Sequence, residues 1–181
     1  MEELNKLREI YKLKNVERAS HVKRRQESAA EHSWSALMLA DYFLTKDLDR
    51  LKVYELLMYH DLVEIESGDV VITDLEGRKN KKEKESKALE ILKRKLPQVI
   101  AKKFEQLFQE YEGKTSKEAR FAKAIDALDG AIHELDYKED WKNWTEEFLR
   151  EHKGPLFEEF PKLKEAHENF LKYAKENGYF D

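Results

Sequence analysis

A histidine and an aspartate stand side by side, as His60-Asp61, in a stretch that otherwise reads as a buried helix, Met58 to Asp69. Taken as helix, Val53, Leu57, His60 and Glu64 fall on one face at spacings of four, three and four. Such a face turns inward, so His60, Asp61 and Glu64 lie on or beside a buried stripe. Buried charges without partners are costly, and a metal ion is one of the few partners that satisfies all three. Gly68 supplies the C-cap that ends the helix nearby. A lone His-Asp pair is usually solvated surface, so the reading depends on whether the rest of the chain supplies more ligands.

The search for those ligands is bounded by composition. At 181 residues the chain is expected to form one domain spanning 1–181, large enough to bury roughly 70% of its unfolded surface. Nine Phe, eight Tyr and three Trp provide a core beneath a 40% charged exterior. The absence of cysteine excludes disulfides, thiolate metal sites and cysteine nucleophiles. A net charge of −4 with both signs interspersed gives no footprint for nucleic acid. No run approaches the ~18 apolar residues of a membrane span. Met1 to Leu13 is charged and periodic with no apolar signal core, and a cytoplasmic location is the expectation.

Taken in order, Leu4, Leu7, Ile10 and Tyr11 mark a first amphipathic helix. Asn15 to Glu27 has no clear period and carries Arg18, His21, Lys23, Arg24 and Arg25. It reads either as a solvated basic connection or as a charged loop that holds an anion beside the metal. Ser28-Ala29-Ala30-Glu31 is a capping box that opens the next helix. His32, Ala36, Leu39, Ala40 and Phe43 form that helix's inward stripe. The helix bearing His60 is expected from about Leu51 to Ser67, with a loop from Asp69 to Lys82 punctuated by Gly77. A long charged helix before Pro97 follows, then Val99 to Tyr111 closed by Gly113. Ser116 opens a helix with the stripe Ala119, Ala122, Asp126 and His133. Aspartate is a poor helix-interior residue, so Asp126 is either a border carboxylate or a group with a partner. Trp141, Trp144, Phe148, Phe157, Phe160 and Phe170 in the tail read as core or as a subunit interface. With no strand alternation in sight, the fold class is all-α.

His32, His60-Asp61 and Asp126 thus stand on separate inward helix faces, in the order H…HD…D. This pattern resembles the HD superfamily of metal-dependent phosphohydrolases. The likeness extends to Glu27–His32, His60–Glu64, Gly68-Asp69, Glu110–Glu112 and Ala119–Asp126. These are similar to the branch containing bacterial 5′-deoxynucleotidases and their eukaryotic HD-domain relatives. The resemblance covers about residues 4–137 and leaves an aromatic-rich helical tail, 138–181.

It implies a helical bundle with one divalent cation in its core, bound by His32, His60, Asp61 and Asp126. The imidazole and carboxylate set suits a borderline metal such as Co, Mn, Ni, Fe or Zn better than Ca, with Mg kept among the candidate ions. Glu64 matches the group that activates the attacking water, and Asp69 a carboxylate that positions water or substrate. Dinuclear relatives add histidines between the HD pair and the last Asp, and none lies between His60 and His133 here. Hydrolases of (p)ppGpp carry Glu-Asp where this chain has Glu64-Ile65. The deoxynucleotidases have a tryptophan in the loop before the first histidine, whereas this chain has Arg18-Ala19-Ser20-His21. Arg18 and Arg25 are expected to hold the phosphate and His21 to stack on sugar or base, with deoxyribose preference open. The expected activity is removal of the 5′-phosphate from nucleoside monophosphates. The alternatives are hydrolysis of another phosphate ester and non-catalytic nucleotide sensing. A homodimer is expected from the aromatic tail and the resemblance.

Overall fold

The computed structural model describes residues 1–71, 74–141 and 144–180. Helix α1 (Glu2–Ile10) runs through a 3-10 turn at Tyr11–Asn15 into a hairpin of β1 (Glu17–Val22) and β2 (Arg25–Ser28). Then come α2 (Ala29–Phe43), α3 (Arg50–Tyr59) and the short α4 (Glu64–Ser67) and α5 (Leu75–Arg78). The long helices α6 (Lys81–Lys95), α7 (Gln98–Gly113) and α8 (Lys117–His133) follow. The tail folds as α9 (Glu146–His152), α10 (Gly154–Phe157) and α11 (Pro161–Glu176).

The caps read from the sequence form. Ser28 Oγ accepts from the Glu31 N–H at 3.3 Å, and Glu31 accepts from the Ser28 N–H at 3.0 Å. Ser116 Oγ likewise accepts from the Ala119 N–H at 3.0 Å. Each such cap contributes about 1 kcal/mol. Gly68, at φ 73°, ends α4. The left-handed residue after α7 is Lys114, at φ 50°, one position beyond the glycine expected to close that helix.

The chain departs from the sequence reading in three places. The helix expected from Leu51 to Ser67 breaks at His60, where Leu62, Glu64 and Ile65 donate to the carbonyls of Tyr59, Asp61 and Leu62. These bonds have the tighter three-residue spacing of a 3-10 turn. The His60 ring is the local cause, because its Nδ1–H donates at 2.7 Å to the Leu57 carbonyl at the end of α3. The expected basic connection 15–27 is instead a two-stranded antiparallel sheet pairing Glu17 with Ser28, His21 with Gln26 and Val22 with Arg25. Its inner positions are Arg18, Ser20 and Glu27, polar residues that leave no apolar alternation to detect. The expected loop 69–82 contains α5, and its residues 72 and 73 lie outside the described residues.

Helix α8 is the axis of the fold, packing against α2, α3, α7, α10 and α11. Ala119, Ala122, Ala124 and Ala131 and Phe121, Ile125 and Leu128 are buried around most of its circumference, as expected of a helix packed on several sides. Phe157 and Phe160 of the tail join that main core, and Trp141, Trp144, Phe170 and Leu171 form a second cluster on Ala131 of α8. The tail aromatics are therefore core packing. Large exposed apolar side chains elsewhere include Trp34, Met38 and Tyr42, at four-residue spacing on α2, and Leu51 and Met58 on α3.

Candidate metal centre

Three segments of the chain, α2, the end of α3 and α8, converge on one buried point. His32, on the first turn of α2, is fully buried, and its Nδ1 meets Asp129 Oδ2 at 2.8 Å. A carboxylate only accepts, so Nδ1 carries a proton whether the ring is neutral or charged, and Nε2 faces the centre. The Leu57 carbonyl fixes His60 in the same way, with Nδ1–H donating and Nε2 facing inward. The break after α3 places Asp61 against that ring, its Oδ1 3.1 Å from His60 Nε2. From α8, Asp126 Oδ1 lies 3.0 Å from His32 Nε2 and 4.0 Å from His60 Nε2. Asp61 Oδ2 lies 3.9 Å from His32 Nε2.

These spacings fit a cation. Bonds of about 2.1 Å to nitrogen and oxygen put neighbouring ligand atoms roughly 3 Å apart and opposite ones roughly 4 Å apart. The ligand atoms of His32, His60 and Asp61 all lie within 4.8 Å of one another. His60 Nε2 and Asp61 Oδ2 are buried with no hydrogen-bond partner, the condition a metal relieves. The electrostatics agree. Burial and Arg18 both oppose a charge on His32, yet its bonds to Asp126 and Asp129 raise its pKa to about 10. Burial opposes the Asp126 carboxylate in turn, but His32 and His60 hold its pKa well below the usual range. The pocket stabilises positive charge, and a divalent cation suits it.

A second layer orients the ligands. Ser35 Oγ donates to Asp129 Oδ2 at 2.8 Å, and the Tyr111 hydroxyl donates to Asp126 Oδ2 at 2.7 Å. Such outer bonds fix tautomer and ring orientation. Asp129 and Tyr111 carry no role in the sequence reading. The signal for Asp129 is its place one turn beyond Asp126 on the same helix, and Tyr111 lies within the Glu110–Glu112 stretch of the resemblance, where it has no role of its own.

Glu64 begins α4 beside Asp61. Burial, with Asp61 and Asp69 adding, raises its carboxyl pKa to about 9 against the pull of Arg18 and Lys81. Its Oε2 has no hydrogen-bond partner, and a nearby cation favours its ionised form. Asp69 lines the same cavity of about 220 Å³, together with Arg18, His60, Asp61 and Asp126. Arg18 lies 3.3 Å from Glu27 and 3.6 Å from Asp61.

The other two expected substrate groups stand outside the cavity wall. His21 meets Asp140 at 2.7 Å, and its backbone N–H donates to the same carboxylate at 3.1 Å. Arg25 is spent on Glu31, the capping-box glutamate, at 2.5 and 2.8 Å.

Comparison with known proteins extends this geometry. The HD domain family matches residues 10–164. The 5′-deoxynucleotidase HDDC2 of Bos taurus is 32% identical over 142 residues, 76% of this chain and 68% of that protein. The Mus musculus protein of the same name is 30% identical, over 76% of this chain and 70% of its own length. A crystal structure of a predicted metal-dependent phosphohydrolase from Magnetospirillum magnetotacticum MS-1 superposes with a TM-score of 0.86 at 29% identity, covering 99% of this chain and 96% of that one. A conserved hypothetical protein from Pyrococcus furiosus shares the fold, with a TM-score of 0.69 at 24% identity over 91% of this chain and 99% of that one.

Proposed function

The chain belongs to the HD domain family, and from that premise we propose that it hydrolyses the 5′-phosphate of nucleoside monophosphates, deoxynucleotides included. The observation that carries this reading is the buried Glu64 carboxyl group with an unpartnered oxygen, in one cavity with His60, Asp61 and Asp126 of the metal site. A purely structural metal site, as in a nucleotide sensor, has no use for that carboxylate. The relatives named 5′-deoxynucleotidase support the substrate class.

His32, His60, Asp61 and Asp126 would hold one Co, Mn, Ni, Fe, Zn or Mg ion, mixed imidazole and oxygen donors favouring the borderline metals. When bound, the ion supplies Lewis acidity toward a phosphoryl oxygen and makes water more acidic. Glu64 takes the proton from the attacking water. Asp69 orients that water, and Arg18 draws phosphate into the cavity and balances its charge. As the new P–O bond forms, the bond to the 5′-oxygen breaks, and the nucleoside leaves as its alcohol once the 5′-oxygen has taken up a proton, which Glu64 or solvent water supplies. The size of the cavity, about 220 Å³, suits one small ester and not a polymer.

Phosphate release from a panel of ribo- and deoxynucleoside monophosphates, with Co²⁺ or Mn²⁺ added, tests the proposal. Turnover abolished in Asp61→Ala and Glu64→Ala is expected. Full activity in either variant refutes the residue roles, and no release from any monophosphate refutes the substrate class.

We further propose that the protein works in the cytoplasm, where a cysteine-free chain needs no oxidising compartment, and as a homodimer. The buried tail aromatics move the expected interface to the exposed α2–α3 face. Asp41 and Arg50, 3.9 Å apart on that face, give a two-fold axis opposite charges to exchange around Trp34, Met38 and Tyr42. Light scattering is expected to give twice the chain mass for wild type and a monomer for Trp34→Glu with Met38→Glu. A monomeric wild type refutes pairing.

A further inference from the structure

Residues 138–181 carry none of the H…HD…D pattern, yet α9 and α10 build one wall of the cavity with Trp144, His152, Lys153 and Leu156. Lys153 stands at the junction of the two helices, between His152 and Gly154. Its Nζ donates a long bond of 3.3 Å to the Ala127 carbonyl and lies 5.3 Å from the centre of the Trp144 ring. Ala127 directly follows Asp126, so the ammonium stands over the turn of α8 that carries a metal-site carboxylate. An ammonium has three donors. Lys153 forms no ion pair among the described residues.

Arg18 reaches the same floor from the hairpin. Its guanidinium lies 3.9 Å from where a Cβ on Gly130 would be. Small residues at 127 and 130 thus keep α8 low beneath both cations. Arg18 Nε lies 3.3 Å from Glu27 Oε2 without forming a hydrogen bond to it, and a terminal guanidinium nitrogen lies 3.6 Å from Asp61. Burial lowers the Lys153 pKa, Glu134 and Asp126 oppose that, and Arg18 adds to it. Glu134, the acidic group on this wall, is itself pushed toward its neutral form by burial. Two cations with unused donors therefore flank one cavity next to the candidate metal ligands. A group with several charged acceptor oxygens relieves both, as sugar hydroxyls or a neutral base would not.

We propose that Lys153 binds the phosphoryl group of the substrate opposite Arg18, so that the tail helices complete the active site. This rests on the phosphomonoesterase reading above. Binding of inorganic phosphate to the Co²⁺-loaded protein, read by calorimetry, tests it independently of turnover. Lys153→Gln keeps a donor for the Ala127 carbonyl and removes the charge, Lys153→Met is a second neutral variant, and Lys153→Arg restores the charge.

The neutral variants, checked for folding by their melting temperatures, are expected to weaken phosphate binding about tenfold. They are also expected to raise KM for deoxyadenosine monophosphate by a similar factor, with a smaller change in kcat. Inhibition by deoxyadenosine should stay as in wild type, and Lys153→Arg should recover most of the phosphate affinity. Unchanged phosphate binding overturns the assignment, as does wild-type protein that binds no phosphate. Weakened inhibition by deoxyadenosine with phosphate binding intact places the lysine at the nucleoside end and overturns it equally. Lysine-dependent phosphate binding without turnover of any nucleotide refutes the nucleotidase reading alone.

Discussion

Asp129→Ala removes the acceptor that fixes His32, a residue with no solvent exposure. Ser35 keeps a second acceptor, the His32 carbonyl at 3.0 Å, so the uncompensated loss falls on the imidazole Nδ1–H. Leaving that buried donor unmade costs about 1–3 kcal/mol. In a chain of this length that lowers the melting temperature of the metal-free protein by roughly 2–12 °C. The ring is then free to turn and to place the proton on Nε2, the atom that faces the metal site. Loss of such an outer-shell carboxylate weakens metal binding about 10–100-fold, or roughly 1.4–2.7 kcal/mol. The assay is Co²⁺ titration of chelator-stripped protein against a competing chromogenic chelator. Asp129→Asn retains an acceptor oxygen without the charge and should fall between wild type and Asp129→Ala. Equal Co²⁺ affinity in wild type and Asp129→Ala would refute the argument that Asp129 positions His32 as a ligand.

Glu64→Gln should lower turnover about 10²–10⁴-fold while the Co²⁺ stoichiometry stays that of wild type; lost metal would instead make Glu64 a ligand. In chelator-treated protein Glu64 has a folded pKa of about 9 against an ordinary 4.5. Its protonated form therefore contributes stability in full below about pH 4.5, and the contribution is lost as pH rises toward 9. Melting curves should accordingly show Glu64→Gln gaining on wild type between pH 5 and pH 9, and parallel curves would refute the shift. Phe157→Ala should cost about 3–5 kcal/mol, because Phe157 is fully buried and stacks on His167 at 4.4 Å. An unchanged melting temperature would mean that α10 is not part of the core.

Much of the site is legible locally. Ser28 and Glu31 announce the helix that carries His32, while the stripe of Ala119, Ala122 and Asp126 leaves Asp126 either a border carboxylate or a group with a partner. The hairpin is hidden because its inner side chains serve a polar cavity, so Arg18, Ser20 and Glu27 break the apolar alternation by which strands are recognised. The break after Tyr59 is hidden as well, because a side chain–backbone bond from His60 to Leu57 decides it against the helical period. His21 and Arg25 look like substrate groups by charge, while their partners Asp140 and Glu31 are matters of packing and capping.

The chemistry that the chain can support is written in the sequence, because ligand types and helix faces are local properties. Two imidazoles, two carboxylates and a spare glutamate on inward faces, with no cysteine, restrict the chain to hard or borderline metal chemistry. Only the tertiary structure decided which nitrogens face the cation, since the acceptors that set each tautomer, Asp129 and the Leu57 carbonyl, are chosen by packing and turn geometry. It also brought Lys153, which no motif marks, to the cavity that Arg18 enters from 135 positions earlier in the chain. Spacing along a helix specifies a face, and the packing of α8 against its neighbours specifies what that face meets.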